Sequence, residues 1–399
     1  MVKVRARNKE ENMPIESKEE FLNLIKQIEQ RINYKKPKAF AIARLDLSQL
    51  DPSKKLQANF GVINFEQNYA AAAVMFEAFF RRGVDVDFNE SEFVATLIKE
   101  DLDFALECFT PFLQEQGHKN IEAIKAAKEN FRENAFSFVC IFEDEAPKSL
   151  ESVYLKLYLL SNKKVPLRSL NLTGAFGILP NVAWSDNKPI DLDFLRENEI
   201  DLKMSGRYPR IDYVDKFPRF LAHVIPEDNT RILESSKVRM GAVLAAGTTI
   251  MPGAAYVNFN AGTTGACMVE GRISSSAVVG EGSDVGGGAS ILGVLSGTSG
   301  NAISIGKACL LGANSVTGIP LGDNCIVDAG IAVLEGTKFA LKNKEELQKI
   351  NPDFKFDKDI YKGLELAGLN GLHFRQDSQS GVMIAAFNKK AVKLNEDLH

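Results

Sequence analysis

The chain has 399 residues, enough for two or three domains, and its 45% hydrophobic and 25% charged content is that of an ordinary folded globular protein. A formal net charge of −4 gives no reason to expect a nucleic-acid partner, and no apolar run approaches the roughly 20 residues that span a bilayer. Residues 1–12 are charged and lack the apolar core of a signal peptide, so a cytoplasmic protein is expected, with no membrane contact.

In chain order, residues 1–230 read as a mixed α/β domain. Ser17-Lys-Glu-Glu20 has the spacing of a capping box and predicts a helix through about Ile32. Further helical patterns cover 69–82, 91–109 and roughly 120–134, while 135–142 and 153–160 read as strands. Then the composition shifts: twenty of the 30 glycines lie in 241–340, which separates 231–340 from its flanks. Beyond Leu341, residues 342–349 look helical and 382–387 look like a strand, giving a small α/β cap over 341–399. The five cysteines, Cys108, Cys140, Cys267, Cys309 and Cys325, are unclustered and read as buried free thiols.

The middle segment counts in sixes. Apolar residues recur at Val238, Leu244, Ile250 and Tyr256, then at Ile273, Val279, Val285 and Ile291. They return at Ile305 and Leu311, and after a slip at Leu321, Val327, Val333 and Phe339. Six is neither a helical nor a strand period. It is the hexapeptide signature of a parallel β-helix, in which three hexads close a triangular coil. The expected fold is therefore a left-handed parallel β-helix between an α/β N-terminal domain and the cap, with both solenoid ends covered. The handedness follows from the hexads and runs against the usual right-handed crossover preference.

None of the four histidines, His118, His223, His373 and His399, lies among the hexads, so a histidine base or a histidine-held metal inside the coil is not expected. The hexads break twice, at 258–272 and at 295–301, and excursions from a rigid scaffold are where function tends to sit. The first break gathers Asn258, Asn260, Glu270 and Arg272, a set able to bind a polar dicarboxylate and deprotonate an amine. On composition, the plainer alternative stands beside it: the asparagines cap a turn and Glu270 pairs with Arg272. Gly286, Gly287 and Gly288 let a thin ligand lie against main chain, or else close a tight corner.

Longer runs carry a resemblance. Arg239-Met-Gly-Ala-Val-Leu-Ala-Ala-Gly-Thr-Thr-Ile-Met251, Val257-Asn-Phe-Asn-Ala-Gly-Thr263, Met268-Val-Glu-Gly-Arg-Ile-Ser274 and Gly282-Ser-Asp-Val-Gly-Gly-Gly-Ala-Ser290 resemble the longer branch of the tetrahydrodipicolinate N-succinyltransferase family. The likeness continues through Ile303-Ser-Ile-Gly-Lys307 and Leu310-Leu-Gly-Ala-Asn-Ser315 and covers about 231–399. It implies a homotrimer that transfers succinyl from succinyl-CoA to the amine of acyclic 2-amino-6-oxopimelate, the opened form of tetrahydrodipicolinate, on the route to meso-diaminopimelate and lysine. Position by position, it implies that Glu270 is the catalytic carboxylate. It places Arg272, Gly287, Ser290, Ala313, Asp328, Ala329, Gly336, Lys362, Arg375 and Ser378 on succinyl-CoA contacts. Asn258, Asn260 and Arg272 are the candidates for substrate carboxylates. Where some members hold an axial divalent ion with acidic residues, this chain has Ser236 and Gly253-Ala254, with Glu234 nearby. No such metal, and no permanently bound cofactor, is expected.

The chemistry is consistent with those residues. An amine attacking a thioester loses a proton as the oxyanion forms, and a desolvated carboxylate can accept it. Glycine-rich backbone can donate N–H groups to the oxyanion. Glu270 acts as that base or forms an acyl-anhydride; the sequence leaves both open. Two competing functions remain: an acyltransferase of the same fold using acetyl-CoA, and a non-catalytic β-solenoid scaffold, which would have uninterrupted coils.

Overall fold

The computed structural model describes residues 15–294, 300–390, 392 and 394. The second hexad break, at 295–301, therefore lies mostly outside the described residues, as do residues 1–12 and the tail beyond Leu394. The chain separates into two compact units: Met1–Leu155 with Thr173–Ile178 and Ile190–Glu199, and Lys156–Leu172 with Leu179–Pro189 and Ile200–His399.

The first unit is a four-stranded antiparallel sheet with helices. Its strands are β1 (Ala39–Leu47), β2 (Lys55–Phe65), β3 (Glu92–Thr96) and β4 (Phe136–Ile141), in the order β2-β1-β4-β3. Helices α1 (Lys18–Glu29), α2 (Tyr69–Arg81), α3 (Lys99–Cys108) and α4 (Lys119–Glu129) supply the rest of its core. The predicted capping box is present: the Ser17 hydroxyl accepts from Glu20 N, and the Glu20 carboxylate accepts from Ser17 N. Buried Phe76 meets Phe138, Phe142 and Phe88 edge-on or tilted, with ring centroids 5.4–5.9 Å apart.

Two elements differ from the sequence expectation. Within 91–109, Glu92–Thr96 is a strand and the helix starts only at Lys99, where the Asp101 carboxylate accepts from Ile98 N at 3.0 Å and sets the first turn. Residues 153–160 are not a strand but part of helix α5, Leu150–Ser161. Ser149 opens it, its hydroxyl accepting from Ser152 N at 3.1 Å and its carbonyl from Val153 N at 3.1 Å. Val153 through Leu155 and Leu157 through Leu160 are all buried, as are Glu151, Ser152 and Lys156, so the helix is buried on every face and shows no amphipathic rhythm.

The second unit holds the coil. Two-residue strands form three sets of parallel rungs, one per side. The first set joins Thr249–Ile250, Met268–Val269, Asp284–Val285, Leu310–Leu311 and Ile326–Val327. The second joins Tyr256–Val257, Arg272–Ile273, Ser290–Ile291, Val316–Thr317 and Ala332–Val333. The third joins Gly262–Thr263, Val278–Val279 and Ser304–Ile305. The predicted inward residues Val238, Leu244, Ile250, Ile273, Val279, Val285, Ile291, Ile305, Leu311, Leu321, Val327, Val333 and Phe339 are all buried in one core. Tyr256 is the exception: it is half-buried and its neighbour Val257 points inward.

That shift narrows the first predicted break to its C-terminal end. Residues 258–269 are regular coil, with Val257, Thr263 and Val269 six apart in the inward position. The rhythm is hidden because Thr263 is polar. Its buried hydroxyl accepts from Ala245 N at 3.0 Å and bonds the Thr248 hydroxyl at 2.7 Å. At its neighbour Gly262, φ is +152°, and a Cβ would lie 1.8 Å from the Val243 carbonyl oxygen, so only glycine fits there. What is irregular is the corner that follows: Val269 to Ile273 takes four residues instead of six. In consequence Met268 pairs with Asp284, sixteen residues on, while Arg272 pairs with Ser290, eighteen on. Leu372–Gln376 continues the first set beside Ile326–Val327, and antiparallel Met383–Phe387 adds to it. Lys338–Leu341, Ile360–Lys362 and the helix Lys344–Ile350 complete the C-terminal segment.

Thr263→Val should test the inward polar position. A hexad rule based on hydrophobicity favours valine, but the change strands the buried Ala245 N–H and should cost about 1–3 kcal/mol. Denaturant unfolding of the variant showing no loss of stability would refute this reading.

Candidate functional site

The four-residue corner carries Glu270 and Gly271 between the first and second sides of the coil. In the next rung the same corner spans Gly286 to Ala289, so Gly287 and Gly288 have no counterpart beside Gly271. The half-buried Glu270 side chain runs over this gap. A Cβ placed on Gly287 would touch only the Glu270 Oε2, at 3.6 Å. Two backbone contacts seal the arrangement, Glu270 N donating to Val285 O at 2.7 Å and Gly288 N to Glu270 O at 3.3 Å.

Below Gly287 the corners repeat in register. Asn314 N donates to Gly287 O at 3.0 Å and Gly330 N to Ala313 O at 2.9 Å, which stacks Gly287, Ala313 and Ala329 into one ridge of nearly bare main chain. Gly288, Asn314 and Gly330 turn the corner with φ of +73°, +56° and +73°. Asp328 immediately precedes Ala329, and its carboxylate accepts from His373 Nε2 at 2.7 Å. The register Ile326 to His373 and Val327 to Phe374 puts Arg375 beside Asp328. Six of the predicted contacts, Glu270, Gly287, Ala313, Asp328, Ala329 and Arg375, thus lie along one corner.

The others are distributed around it. Ser290 and Arg272 are paired neighbours on the second side. Gly336 and Lys362 are exposed and close to each other, since Gly363 N donates to Thr337 O and Leu364 N to Glu335 O. Ser378 is an exposed residue of the turn after Gln376, where the Asp377 carboxylate accepts from the Gln379 and Ser380 N–H groups.

On the far side of Arg272, an open groove of about 590 Å³ is walled by Lys237, Tyr256, Asn258, Arg272, Ser274 and Ser275. It contains Asn258 and Arg272 but not Asn260. Asn260 has a left-handed backbone, φ +53°, and its side-chain oxygen accepts from Arg168 N at 2.9 Å. Glu270 and Arg272 do not pair: among the described residues no ion pair joins them, because Gly271 turns them onto different sides.

Two arginines outside the predicted set brace this region. Arg168 donates to the carbonyls of Ser276 and Ile303 at 2.6 and 2.5 Å and to the Ser304 hydroxyl at 2.9 Å. Arg239 donates to both oxygens of Asp215, at 3.0 and 3.1 Å, and to the Asn258 oxygen at 3.2 Å. Burial alone would raise the Asp215 pKa, but Arg219 and Arg239 hold it below the usual carboxylate value. The five cysteines are buried and free, and burial pushes Cys267 up to about 12, far from reactive thiolate. Among the described residues there is no cluster of three metal-ligating side chains and no helix long and apolar enough to cross a membrane.

Comparison with known proteins extends the motif likeness, seen in the sequence over 231–399, through the N-terminal unit. Family models match at 19–177 (tetrahydrodipicolinate N-succinyltransferase N-terminal), 179–219 (tetrahydrodipicolinate N-succinyltransferase middle) and 302–335 (hexapeptide repeat of succinyl-transferase). A Campylobacter jejuni 2,3,4,5-tetrahydropyridine-2,6-dicarboxylate N-succinyltransferase is 77% identical over 385 residues, covering 96% of this chain and 100% of that protein. The Helicobacter pylori protein of the same name is 48% identical, over 95% of this chain and 99% of its own. A solved Campylobacter jejuni structure, named for a 2,3,4,5-tetrahydropyridine-2-carboxylate N-succinyltransferase, superposes with a TM-score of 0.92 at 77% identity, covering 94% of this chain and 99% of that one. The chain belongs to the tetrahydrodipicolinate N-succinyltransferase family.

Proposed function

We infer that this protein transfers the succinyl group of succinyl-CoA to the amine of acyclic 2-amino-6-oxopimelate, the opened form of tetrahydrodipicolinate. The product is N-succinyl-2-amino-6-oxopimelate, an intermediate toward meso-diaminopimelate and lysine. The observation that carries the reading is the placement of Glu270: a lone half-buried carboxylate over Gly287, at the head of the bare ridge Gly287, Ala313 and Ala329. A ridge without side chains lets a thin thioester chain lie along main chain, and brings its carbonyl to the carboxylate.

In this reading the amine attacks the thioester carbonyl and forms the new N–C bond. Glu270 accepts the proton that leaves nitrogen, and the oxyanion is met by N–H donors of the glycine turn. Collapse breaks the C–S bond, and the departing thiolate recovers the proton from Glu270. Ser290 and Asp328 flank the ridge, while Arg375 and Lys362, with Gly336 beside it, offer the cations and main chain that a CoA phosphate needs. Ser378 presents a hydroxyl on the adjoining turn. Arg272 and Asn258 bind the amine substrate through a carboxylate. Asn260 is scaffold, its oxygen engaged by Arg168.

The same reading takes the coil as left-handed, the C-terminal segment as its cap and the working enzyme as a cytoplasmic homotrimer, with no resident cofactor and no metal on the trimer axis. The boundaries 1–230, 231–340 and 341–399 then separate an α/β domain, the acyltransferase coil and the CoA-binding cap. A coupled assay of CoA release from tetrahydrodipicolinate with either acyl donor tests it. Succinyl-CoA should be the efficient donor; preference for acetyl-CoA would favour the related acyltransferase, and release from neither would leave the scaffold.

Glu270→Gln should retain CoA binding and lose about 10²–10⁴-fold in kcat, measured by steady-state kinetics beside calorimetric CoA titration. Retained turnover would remove Glu270 from the mechanism. Asn260→Gly keeps the left-handed backbone and deletes the acceptor for Arg168, so thermal stability should fall while both KM values stay within about twofold. A selective rise in KM for the amine substrate would return Asn260 to the binding site.

A further inference from the structure

The groove beside Arg272 has a polarity set from behind. Of its walls, Lys237 and Arg272 are cationic and Asn258, Ser274 and Ser275 are neutral; among the described residues no carboxylate lines it, and Glu234 lies 3.6 Å from the Lys237 ammonium. The Lys237 ammonium also donates to Gly253 O at 2.6 Å. Asn258 is the one wall residue with an amide, and which end of that amide faces outward decides what the groove can bind.

Hydrogen-bond chemistry answers this. Arg239 Nη1 and Phe259 N converge on one atom of the Asn258 amide, at 3.2 and 2.9 Å. A guanidinium and a backbone N–H only donate, so the atom they share is the oxygen. The NH₂ group is left over, and among the described residues nothing accepts from it. Arg239 cannot swing away to release the amide. Asp215 grips it with both oxygens, Arg219 Nη1 holds Asp215 in turn at 2.8 Å, and the guanidinium packs 5.5 Å from the Phe217 ring centre and 5.8 Å from that of Tyr256.

We propose that Arg239, clamped by Asp215, is a positioning residue that locks Asn258 with its NH₂ toward the groove, so that Asn258 and Arg272 together bind a carboxylate of the substrate and reject its ammonium. The proposal rests on the succinyltransferase reading for the identity of the substrate and deepens it by assigning the carboxylate end to this groove. A flipped amide would present an acceptor there instead, repelling a carboxylate. The locked donor selects an anion at this end, leaving the uncharged amine free to reach the thioester.

Asn258→Asp is the direct test. The aspartate keeps an oxygen for Arg239 and Phe259 N, so the fold is retained, but it loses the donor and adds a negative charge. In the CoA-release assay the KM for the amine substrate should rise at least about tenfold, with the KM for succinyl-CoA within about twofold. Arg239→Lys keeps the charge but not the fork, and should raise the same KM by a smaller factor with Tm recorded alongside. Calorimetric titration with pimelate, a plain seven-carbon dicarboxylate, supplies a readout independent of turnover: the wild type should bind it and Asn258→Asp should not. Equal pimelate affinity in the two proteins, no pimelate binding to the wild type, or a parallel rise in both KM values would overturn the proposal. Absence of CoA release by the wild type would instead sink the succinyltransferase reading, and the pimelate titration would still decide this one.

Discussion

Adjacent rungs of a parallel coil are held about 4.8 Å apart by their hydrogen bonds, which leaves almost no freedom in how corners stack. A corner that is two residues short therefore cannot be absorbed; it leaves a gap beside the longer corner below. Between Val269 and Ile273 this chain makes such a gap, and the Glu270 side chain extends over it toward Gly287. The position of the carboxylate is thus a consequence of backbone register, and the strand pairs on either side fix it to the residue. The ridge below depends on the same register, since Gly287, Ala313 and Ala329 align only because their corners are equal in length.

Polar side chains inside and behind the coil support this geometry at some cost to the simple repeat. Thr263 occupies an inward position with its hydroxyl satisfied by Ala245 and Thr248. Arg168 ties together carbonyls and a hydroxyl from successive rungs, and Arg239 connects half-buried Asp215 to the groove wall. Buried or half-buried charges of this kind are stable only when fully hydrogen-bonded, which makes them rigid supports for the residues they touch.

Much of the coil was legible because period six has no competing explanation: every predicted inward residue except Tyr256 is buried. Of the break expected at 258–272, only the short corner between Val269 and Ile273 is irregular; the rest is regular coil hidden by a threonine standing where an aliphatic residue was sought. The candidate asparagines looked equivalent in sequence, and only the structure separates Asn258, in the groove, from Asn260, spent on Arg168. In the N-terminal unit, strands β1 and β2 escaped notice because inward Ala41, Ala43 and Ala58 blunt the alternation. Helix α5 reads as a strand over 153–160 because it is buried on every face, so length and the Ser149 cap were the informative signals. Arg168 belongs to no quoted motif and Arg239 opens one without its role showing, because both are defined by partners distant in sequence.

In the proposed succinyltransferase reaction the thioester meets the amine in the open space at Gly287, facing Glu270. Gly287→Ala enters that space without other conflict, because its backbone is not left-handed and a Cβ there would touch nothing but the Glu270 carboxylate. Thermal unfolding and CoA-release kinetics on this variant should show a Tm close to that of the wild type with kcat/KM for succinyl-CoA reduced at least about 100-fold. A variant of unchanged stability that turns over at the wild-type rate would contradict the account.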